Sequence, residues 1–363
     1  MVFSSHLFLF YFLPLTLAGY YCMVLCKAEK SWLNLFLTVV SYIFYGWFQP
    51  YYVILMWFTS FVNYMGGRFI AAPNASQTQR KVALFISVAV SLGLLIFYKY
   101  YMFLMGGVNH LMEVCGAGSN YFHVMQVILP IGISFYTFQC FSYTIDVYRG
   151  DAPPVKNLMT MTAFVALFSQ LVAGPIVRYS SVADELANRK HTLDQFGTGV
   201  ALFILGFAKK IILANSCGEI ANSAFRADSP DMLISWWGIL AYHFQIYFDF
   251  CAYSDMAVGL GRMFGFEFIK NFNAPYWSAS ITEFWTRWHI SLSTWIRDYL
   301  YISLGGNRLG VARTYMNLAL AMFLSGLWHG AQMTFVIWGL FQGGFMILER
   351  VLGKKTFYAK LLF

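Results

Sequence analysis

The chain has 363 residues, of which 59% are hydrophobic and only 11% are charged. Soluble domains carry about 25% charged residues, so this composition excludes an ordinary water-soluble globule and indicates a membrane protein. The basic residues behind the formal net charge of +8 stand between apolar segments, which is typical of topology determinants and argues against a nucleic-acid partner. The six cysteines form no CxxC pair, and we expect no metal site.

Ten apolar segments follow one another along the chain, and a membrane helix needs about 20 residues per span. They predict an all-α, polytopic bundle of about ten or more spans that forms one membrane-embedded domain over residues 1–363. The segments lie near residues 7–25, 31–48, 51–66, 82–105, 123–148, 158–177, 196–214, 232–259, 312–329 and 333–348.

Loop charges predict the orientation of the bundle. Basic residues follow the first, third and fifth segments, whereas the loop at 106–122 contains neither lysine nor arginine. Because basic loops stay on the cytoplasmic side, this pattern predicts a periplasmic N-terminus. The alternation fails at Arg178, Arg189 and Lys190, which fall where an outside loop is expected. Either the segment at 158–177 is re-entrant or the alternation breaks there.

The stretch from Ser280 to Leu304 has a different pattern from the spans. Tryptophans fall on one stripe at helical spacing, and hydroxyl and charged side chains fall on the opposite side, with His289 at the border. This periodicity predicts one amphipathic helix that lies in an interface or lines a cavity. A simple interfacial anchor is the alternative reading.

Histidine is the best remaining chemical group, because no GxSxG, HExxH or Walker motif occurs in the sequence. His329 lies in the apolar stretch "FLSGLWHGAQMTFVIWG", between Trp328 and Gly330. An ionisable residue at membrane depth is a candidate for function. A core histidine that is hydrogen-bonded to a neighbouring helix is the alternative.

Several long motifs resemble the membrane-bound O-acyltransferase (MBOAT) family, and the likeness is greatest to the members that O-acetylate alginate. The resemblance covers essentially the whole chain. Its motifs are "MVFSS" at the start, "LPIGISFYTFQCFSYTIDVYRGD" at 129–151, "QLVAGPIVRY" at 170–179, "NFNAPYWSASITEFWTRWHISLSTWIRDYLYISLGGNR" at 271–308 and "FLSGLWHGAQMTFVIWGLFQG" at 323–343.

This resemblance implies a helix bundle with re-entrant and amphipathic helices around a central cavity, in the bacterial inner membrane. It implies His329 as the catalytic residue and His289 as the second site position. It also implies that acetyl comes from a cytoplasmic donor, acetyl-CoA, with no bound cofactor, and passes to periplasmic acetyl-transfer proteins for O-acetylation of exported alginate. Related chains continue beyond the WHG segment, so we expect this sequence to be shortened at its C-terminus.

Donor-binding candidates accompany the two histidines in these motifs. Arginine forks match phosphate geometry and would suit the donor's phosphates, whereas a topology role or a lipid headgroup contact is the favoured alternative for each arginine taken singly. The candidates are Trp328, Trp288, Arg287, Arg297, Asp298, Asn307 and Arg308.

Other functions stay open at this point. Within the family, O-acylation of peptidoglycan and D-alanylation of teichoic acid use similar proteins. Outside it, a transporter or a non-catalytic scaffold is possible, and Lys99, Asp146 and Asp249 would then mark an ion path. No internal repeat is evident, which disfavours a transporter.

Overall fold

The computed structural model describes residues 1–116, 118, 121–172 and 174–353, and all regular structure within them is helical. The α-helices are α1 (Leu13–Leu25), α2 (Lys30–Gly46), α3 (Tyr51–Ile70), α4 (Gln77–Leu95), α5 (Tyr101–Val114), α6 (Ile133–Arg149), α7 (Leu158–Ala166), α8 (Phe168–Leu171), α9 (Tyr179–Asn188), α10 (Leu193–Ala208), α11 (Asn215–Phe225), α12 (Met232–Met263), α13 (Ile281–Arg287), α14 (Ile290–Trp295), α15 (Val311–His329) and α16 (Met333–Leu352).

Short π-helical turns extend several of these helices. The turn Ile96–Tyr100 joins α4 to α5, and Lys209–Ala214 joins α10 to α11. Within the described residues, four helices are long and apolar enough to cross a membrane: Phe8–Leu25, Gln77–Val114, Leu193–Phe225 and Met333–Leu352. An all-helical membrane protein is therefore confirmed, whereas ten or more spans stay a prediction.

The chain between the second and third of these spans differs from its predicted form. The predicted loop at 106–122 is helical up to Val114, and residues 123–132 of a predicted span form no helix. Helix α6 begins only after Gly132, which has a left-handed backbone with φ of 76°. A Cβ atom there would lie 2.6 Å from the Leu171 carbonyl oxygen, so glycine is required for both reasons.

The predicted span at 158–177 is also wrong as a single helix. It divides at Leu167 into α7 and α8, of nine and four residues, and neither is long enough to cross a bilayer. Residues 161–171 are all buried within the protein. Non-helical backbone at membrane depth is tolerated where protein covers it, and this segment meets that condition. Its path as a re-entrant segment stays a prediction.

The predicted amphipathic helix from Ser280 to Leu304 is broken at Trp288 and His289. Helix α13 ends before the break, and α14 continues after it as a π-helical turn at Ile296–Tyr301. His289 has φ of 44° and ψ of 56°, a left-handed conformation that ends the first helix and starts the second. His289 therefore lies at a corner between two helices and not on the border of one.

Helix α15 packs closely on α16, and this contact places the end of α15. Gly326 and Gly339 face each other, because a Cβ atom on either would lie 3.1 Å from the Cα of the other. Two glycines at one crossing let the helix backbones approach, as in other membrane helix pairs. The last turn of α15 is thereby held against α16.

Candidate active site

His329 is the last residue of α15 and lies among aromatic rings. Its imidazole centroid is 5.0 Å from that of Trp328 and 5.1 Å from that of Trp338, with both pairs nearly perpendicular. Phe335 stacks at 6.4 Å. The side chain is nevertheless exposed at the surface of the described residues. The rings therefore restrict the orientation of the imidazole while leaving it accessible.

Trp328 brings the two predicted catalytic residues together. Its indole contacts the ring of His329, the next residue in the chain. It also contacts the ring of His289 at the corner before α14, with the two ring centroids 5.8 Å apart. His289 is only 1% exposed. One histidine is thus accessible and the other is buried, and both contact the same indole.

Asn271 and Ser291 hold the His289 corner. The Asn271 side-chain oxygen, Oδ1, lies 3.1 Å from His289 Nδ1, 3.1 Å from the Ser291 backbone nitrogen and 3.0 Å from the Ser291 hydroxyl. The Ile290 backbone N–H donates to the Asn271 carbonyl at 2.9 Å. His289 Nε2 is buried and has no hydrogen-bond partner among the described residues.

Lys99 and Tyr100 contact the end of α15 from the π-helical turn between α4 and α5. The Lys99 ammonium donates to the Trp328 carbonyl, and also to the Ser134 hydroxyl at 3.0 Å. The Tyr100 hydroxyl donates to the Leu327 carbonyl at 2.8 Å. The last carbonyls of a helix lack partners within it, and a cation there is favourable. These two residues therefore cap the helix that carries His329.

A charged cluster surrounds Asp298, after α14. Arg178 approaches its carboxylate at 2.9 Å and Arg297 at 2.6 Å. Burial raises the pKa of Asp298, but the hydrogen bonds from Arg297 and Arg178 outweigh burial and lower the pKa below its usual value. Asp298 is consequently ionised and neutralises part of the arginine charge.

Two cavities lie beside this cluster, and Arg297 lines both. One has a volume of about 370 Å³ and is mostly apolar, with Arg350 and Asn307 among its polar residues. The other, of about 400 Å³, is lined by Arg178 and Ser291 and by further hydroxyl groups. Neither histidine is among the residues that line these two cavities. The second cavity reaches Ser291, a direct partner of Asn271.

The remaining predicted donor contacts are dispersed. Arg287 pairs with Glu283 at 2.8 Å within α13, and Trp288 packs on Phe272 with ring centroids 5.1 Å apart. Asn307 accepts a hydrogen bond from Arg350 at 3.3 Å and one from the Tyr301 hydroxyl. Arg308 is exposed in the turn that follows. The structure thus brings His329, His289 and Trp328 together. It places Arg297 beside Asp298 and in the wall of the same cavity as Asn307. Arg287, Trp288 and Arg308 lie outside both groups.

Sequence analysis missed four residues that contact these groups. Asn271 and Ser291 lie in the motif at 271–308, but no spacing rule indicates that they bind His289. Lys99 was considered only as part of an ion path, and Arg178 only as a topology signal. The contacts of Lys99 with Trp328 and of Arg178 with Asp298 join segments far apart in the chain, so only the folded structure reveals them.

Comparison with known proteins agrees with the motifs. The sequence profile of the membrane-bound O-acyltransferase family matches residues 42–357. The probable alginate O-acetylase AlgI of Pseudomonas putida is 47% identical over 356 residues, covering 98% of this chain and 72% of that protein. Its namesake in Azotobacter vinelandii is 48% identical over 352 residues, covering 97% of this chain and 69% of that protein.

A more distant relative has a different named substrate. The peptidoglycan O-acetyltransferase of Helicobacter pylori is 32% identical over 388 residues, covering 98% of this chain and 72% of that protein. The family profile covers most of the sequence, and these relatives cover almost all of it. The chain is therefore an acyltransferase that belongs to the membrane-bound O-acyltransferase family.

Proposed function

We propose that this chain is an inner-membrane O-acetyltransferase that takes acetyl from a cytoplasmic thioester, acetyl-CoA, and passes it outward for O-acetylation of alginate. Relatives at 47% and 48% identity that carry the name alginate O-acetylase support the choice of polymer. In this proposal the protein spans the membrane several times with a periplasmic N-terminus. Periplasmic acetyl-transfer proteins receive the acetyl group.

The observation that carries the proposal is the contact of both histidines with Trp328. Transfer of acetyl from a thioester to a hydroxyl needs a base to remove the hydroxyl proton. Histidine titrates near neutrality and suits this role. The accessible His329 would serve as the base for an arriving acceptor. The buried His289 would hold a reacting group through its unpartnered Nε2 atom.

The acetyl donor would bind beside Arg178 and Arg297, the two arginines that pair with Asp298. Arg178 and Arg297 line the cavity of about 400 Å³ whose wall includes Ser291. Arginine binds phosphate through paired N–H groups, so these residues suit the phosphates of a nucleotide-linked thioester. The contact between Ser291 and Asn271 connects this cavity to His289. Arg287 and Arg308 lie outside this arrangement and are weaker candidates.

The first test is the His329→Ala variant. A positioned base contributes about 10²–10⁴-fold to rate, so we expect acetylation of alginate to fall at least about 10²-fold. Acetyl transfer is measured per molecule of membrane-inserted protein. His123→Ala, which changes an exposed histidine outside the described helices, is the matched control and should keep full activity. Near-normal acetylation by His329→Ala would exclude the assignment.

Peptidoglycan is the second candidate acceptor, favoured by the relative from Helicobacter pylori. The two acceptors are distinguished by one comparison in the same cells. We expect deletion of the gene to remove O-acetyl groups from alginate and to leave those of peptidoglycan unchanged. Loss from peptidoglycan alone would assign the chain to that polymer instead.

A further inference from the structure

We infer that Asn271 is a positioning residue that fixes which nitrogen of His289 carries the proton. The inference rests on the proposed function, because it gives His289 a role in the acetyl-transfer site. It concerns a residue outside both helices of the corner. Asn271 lies in the non-helical chain before α13 and is 1% exposed.

Two backbone groups define the orientation of the Asn271 amide. The Ser291 backbone N–H can only donate, and it lies 3.1 Å from the Asn271 side-chain oxygen. The Gly174 carbonyl can only accept, and it lies 3.4 Å from the Asn271 side-chain nitrogen. Both contacts require the same assignment of oxygen and nitrogen. The group that faces His289 is therefore the carbonyl oxygen, which is an acceptor.

This orientation determines the tautomer of His289. An acceptor 3.1 Å from Nδ1 requires that Nδ1 carry the proton. In the neutral ring the other nitrogen, Nε2, then has a free lone pair. Nε2 is buried and has no partner among the described residues. An unpaired buried acceptor is costly, and such exceptions call for an explanation. A substrate group that donates a hydrogen bond to Nε2 would explain why this buried atom has no protein partner.

Among the described residues, the Asn271 side-chain oxygen lies closer to His289 Nδ1 than any other hydrogen-bonding group, at 3.1 Å. The Ser291 hydroxyl lies 3.5 Å away and donates to the same Asn271 oxygen at 3.0 Å. That hydroxyl also accepts from the Ile176 backbone N–H at 2.8 Å. The Phe250 ring packs perpendicular to the imidazole at 4.6 Å. The imidazole of His289 is therefore held by the hydrogen bond to Asn271 at Nδ1 and by packing against the Phe250 ring.

The backbone at His289 depends on the same residue. A left-handed, non-glycine residue is uncommon, and such strain is found where surrounding structure enforces it. Here the Asn271 backbone carbonyl accepts from Ile290, and its side-chain oxygen accepts from Ser291. These are two of the unpaired N–H groups at the start of α14. Asn271 therefore caps α14 from a distance while it orients the histidine before it.

Replacement of Asn271 by aspartate or leucine tests the inference. Aspartate keeps the acceptor and adds a negative charge, which stabilises the protonated imidazole of His289. Because Nε2 then holds a proton until a higher pH, we expect the acid limb of the rate–pH profile to move to higher pH. Activity at alkaline pH should stay within about threefold of the parent. His329 contacts the Trp328 ring that also contacts His289, Lys99 lies over the same indole, and neither residue is altered.

Leucine removes the acceptor at similar volume and frees the histidine tautomer. Enzymes that hold a histidine in one tautomer lose much activity when the holding group is changed. We expect at least about a tenfold loss per folded molecule across the pH range. Asn34→Leu is the matched control, because it makes the same change at a buried asparagine on α2, whose amide donates to the Leu186 carbonyl at 3.1 Å, away from the site. It should retain the pH profile of the parent.

The outcomes separate this inference from the proposed function. A profile for Asn271→Asp that coincides with that of the parent, or that shows no activity at any pH, would overturn the inference. Full activity of Asn271→Leu would do the same. If the leucine variant does not accumulate, the aspartate profile decides alone. Full activity of His289→Ala would instead remove His289 from the proposed site, whatever the Asn271 variants do.

Discussion

Lys99 is a charged residue that contacts the end of the helix that carries His329. Its ammonium donates to the last turn of α15 and lies 5.6 Å from the centre of the Trp328 ring. The ring that both histidines contact is therefore held through its backbone and its face. A buried charge contributes little net stability, because the cost of removing it from water offsets the attraction. We therefore expect Lys99 to contribute to the position of the Trp328 ring more than to the free energy of unfolding.

Lys99→Met should reduce activity more than stability. The variant keeps an unbranched side chain but loses the donors to Trp328 and Ser134. We expect about a tenfold loss of acetyl transfer, with the unfolding free energy changed by less than about 2 kcal/mol. Lys210→Met is the control, since Lys210 also lies on a π-helical turn and pairs with Asp249 at 2.7 Å. Equal losses in both variants would contradict a specific role for Lys99.

At the residue scale, sequence motifs predicted the two histidines, which the structure brings to one indole, but not the groups that form hydrogen bonds around them. His329 and His289 lie in long, specific motifs, so the resemblance locates them. Asn271 and Lys99 act through hydrogen bonds to segments distant in sequence, and a hydrogen bond leaves no periodic pattern. The exposure of His329 was also not predicted. Apolar neighbours in sequence predicted a residue at membrane depth, and the structure adds that His329 is exposed among the described residues at the end of its helix.

At the element scale, the corner between α13 and α14 explains why periodicity failed. The stretch contains neither glycine nor proline between Ser280 and Leu304, so no local sequence signal predicts a break in the helix. Asn271 lies outside the stretch and accepts hydrogen bonds from the first two backbone N–H groups of α14, immediately after the break. Tertiary contacts override local helix preference here, as they often do.

Glu349 connects these elements to α16. Its carboxylate accepts from the Thr282 backbone at 3.1 Å and from the Thr282 hydroxyl at 2.6 Å, and it also accepts from the Ile281 backbone. The residue is fully buried. Negative charge at a helix start is favourable, because the first N–H groups lack partners. Glu349 therefore anchors α13 onto the last described helix.

Glu349→Gln should destabilise this junction. The amide keeps the size of the side chain but turns one acceptor into a donor and removes the charge. Hydrogen bonds to charged groups are worth about 1.5–3 kcal/mol, so we expect a loss of about 2 kcal/mol and a lower Tm in detergent. Glu113→Gln, at the exposed end of α5, is the control and should leave Tm unchanged. An unaltered Tm for Glu349→Gln would contradict the anchoring role.

At the scale of the whole molecule, composition correctly indicated an all-helical membrane protein. The predicted number of spans depended on treating each apolar run as one crossing helix. That rule holds for residues 7–25 and 333–348, but fails at 158–177, where the apolar side chains are buried inside the protein. Burial in protein and burial in lipid require the same residue types. Composition therefore cannot distinguish them.

The orientation of the molecule can be tested with two native cysteines. Cys26 follows the first span, beside basic residues, and Cys115 follows Val114 in the loop that lacks lysine and arginine; both are exposed. The rest of that loop includes Ala117, Ser119 and Asn120, which lie outside the described residues. In single-cysteine variants, a membrane-impermeant thiol reagent added from the periplasm should label Cys115 and spare Cys26. The opposite pattern would invert the proposed orientation.

The hydrogen bonds of Lys99 have a consequence for the order in which the protein is made. Its helix enters the bilayer early, and a lysine there costs about 2.5–3.5 kcal/mol on insertion scales. The Ser134 hydroxyl follows 35 residues later, whereas the Trp328 carbonyl follows 229 residues later. At about 5–20 residues per second, the second partner arrives some 10–50 s after the lysine. The hydrogen bond from Lys99 to Ser134 can therefore form first, during synthesis. The hydrogen bond to the Trp328 carbonyl can form only after α15 has been made.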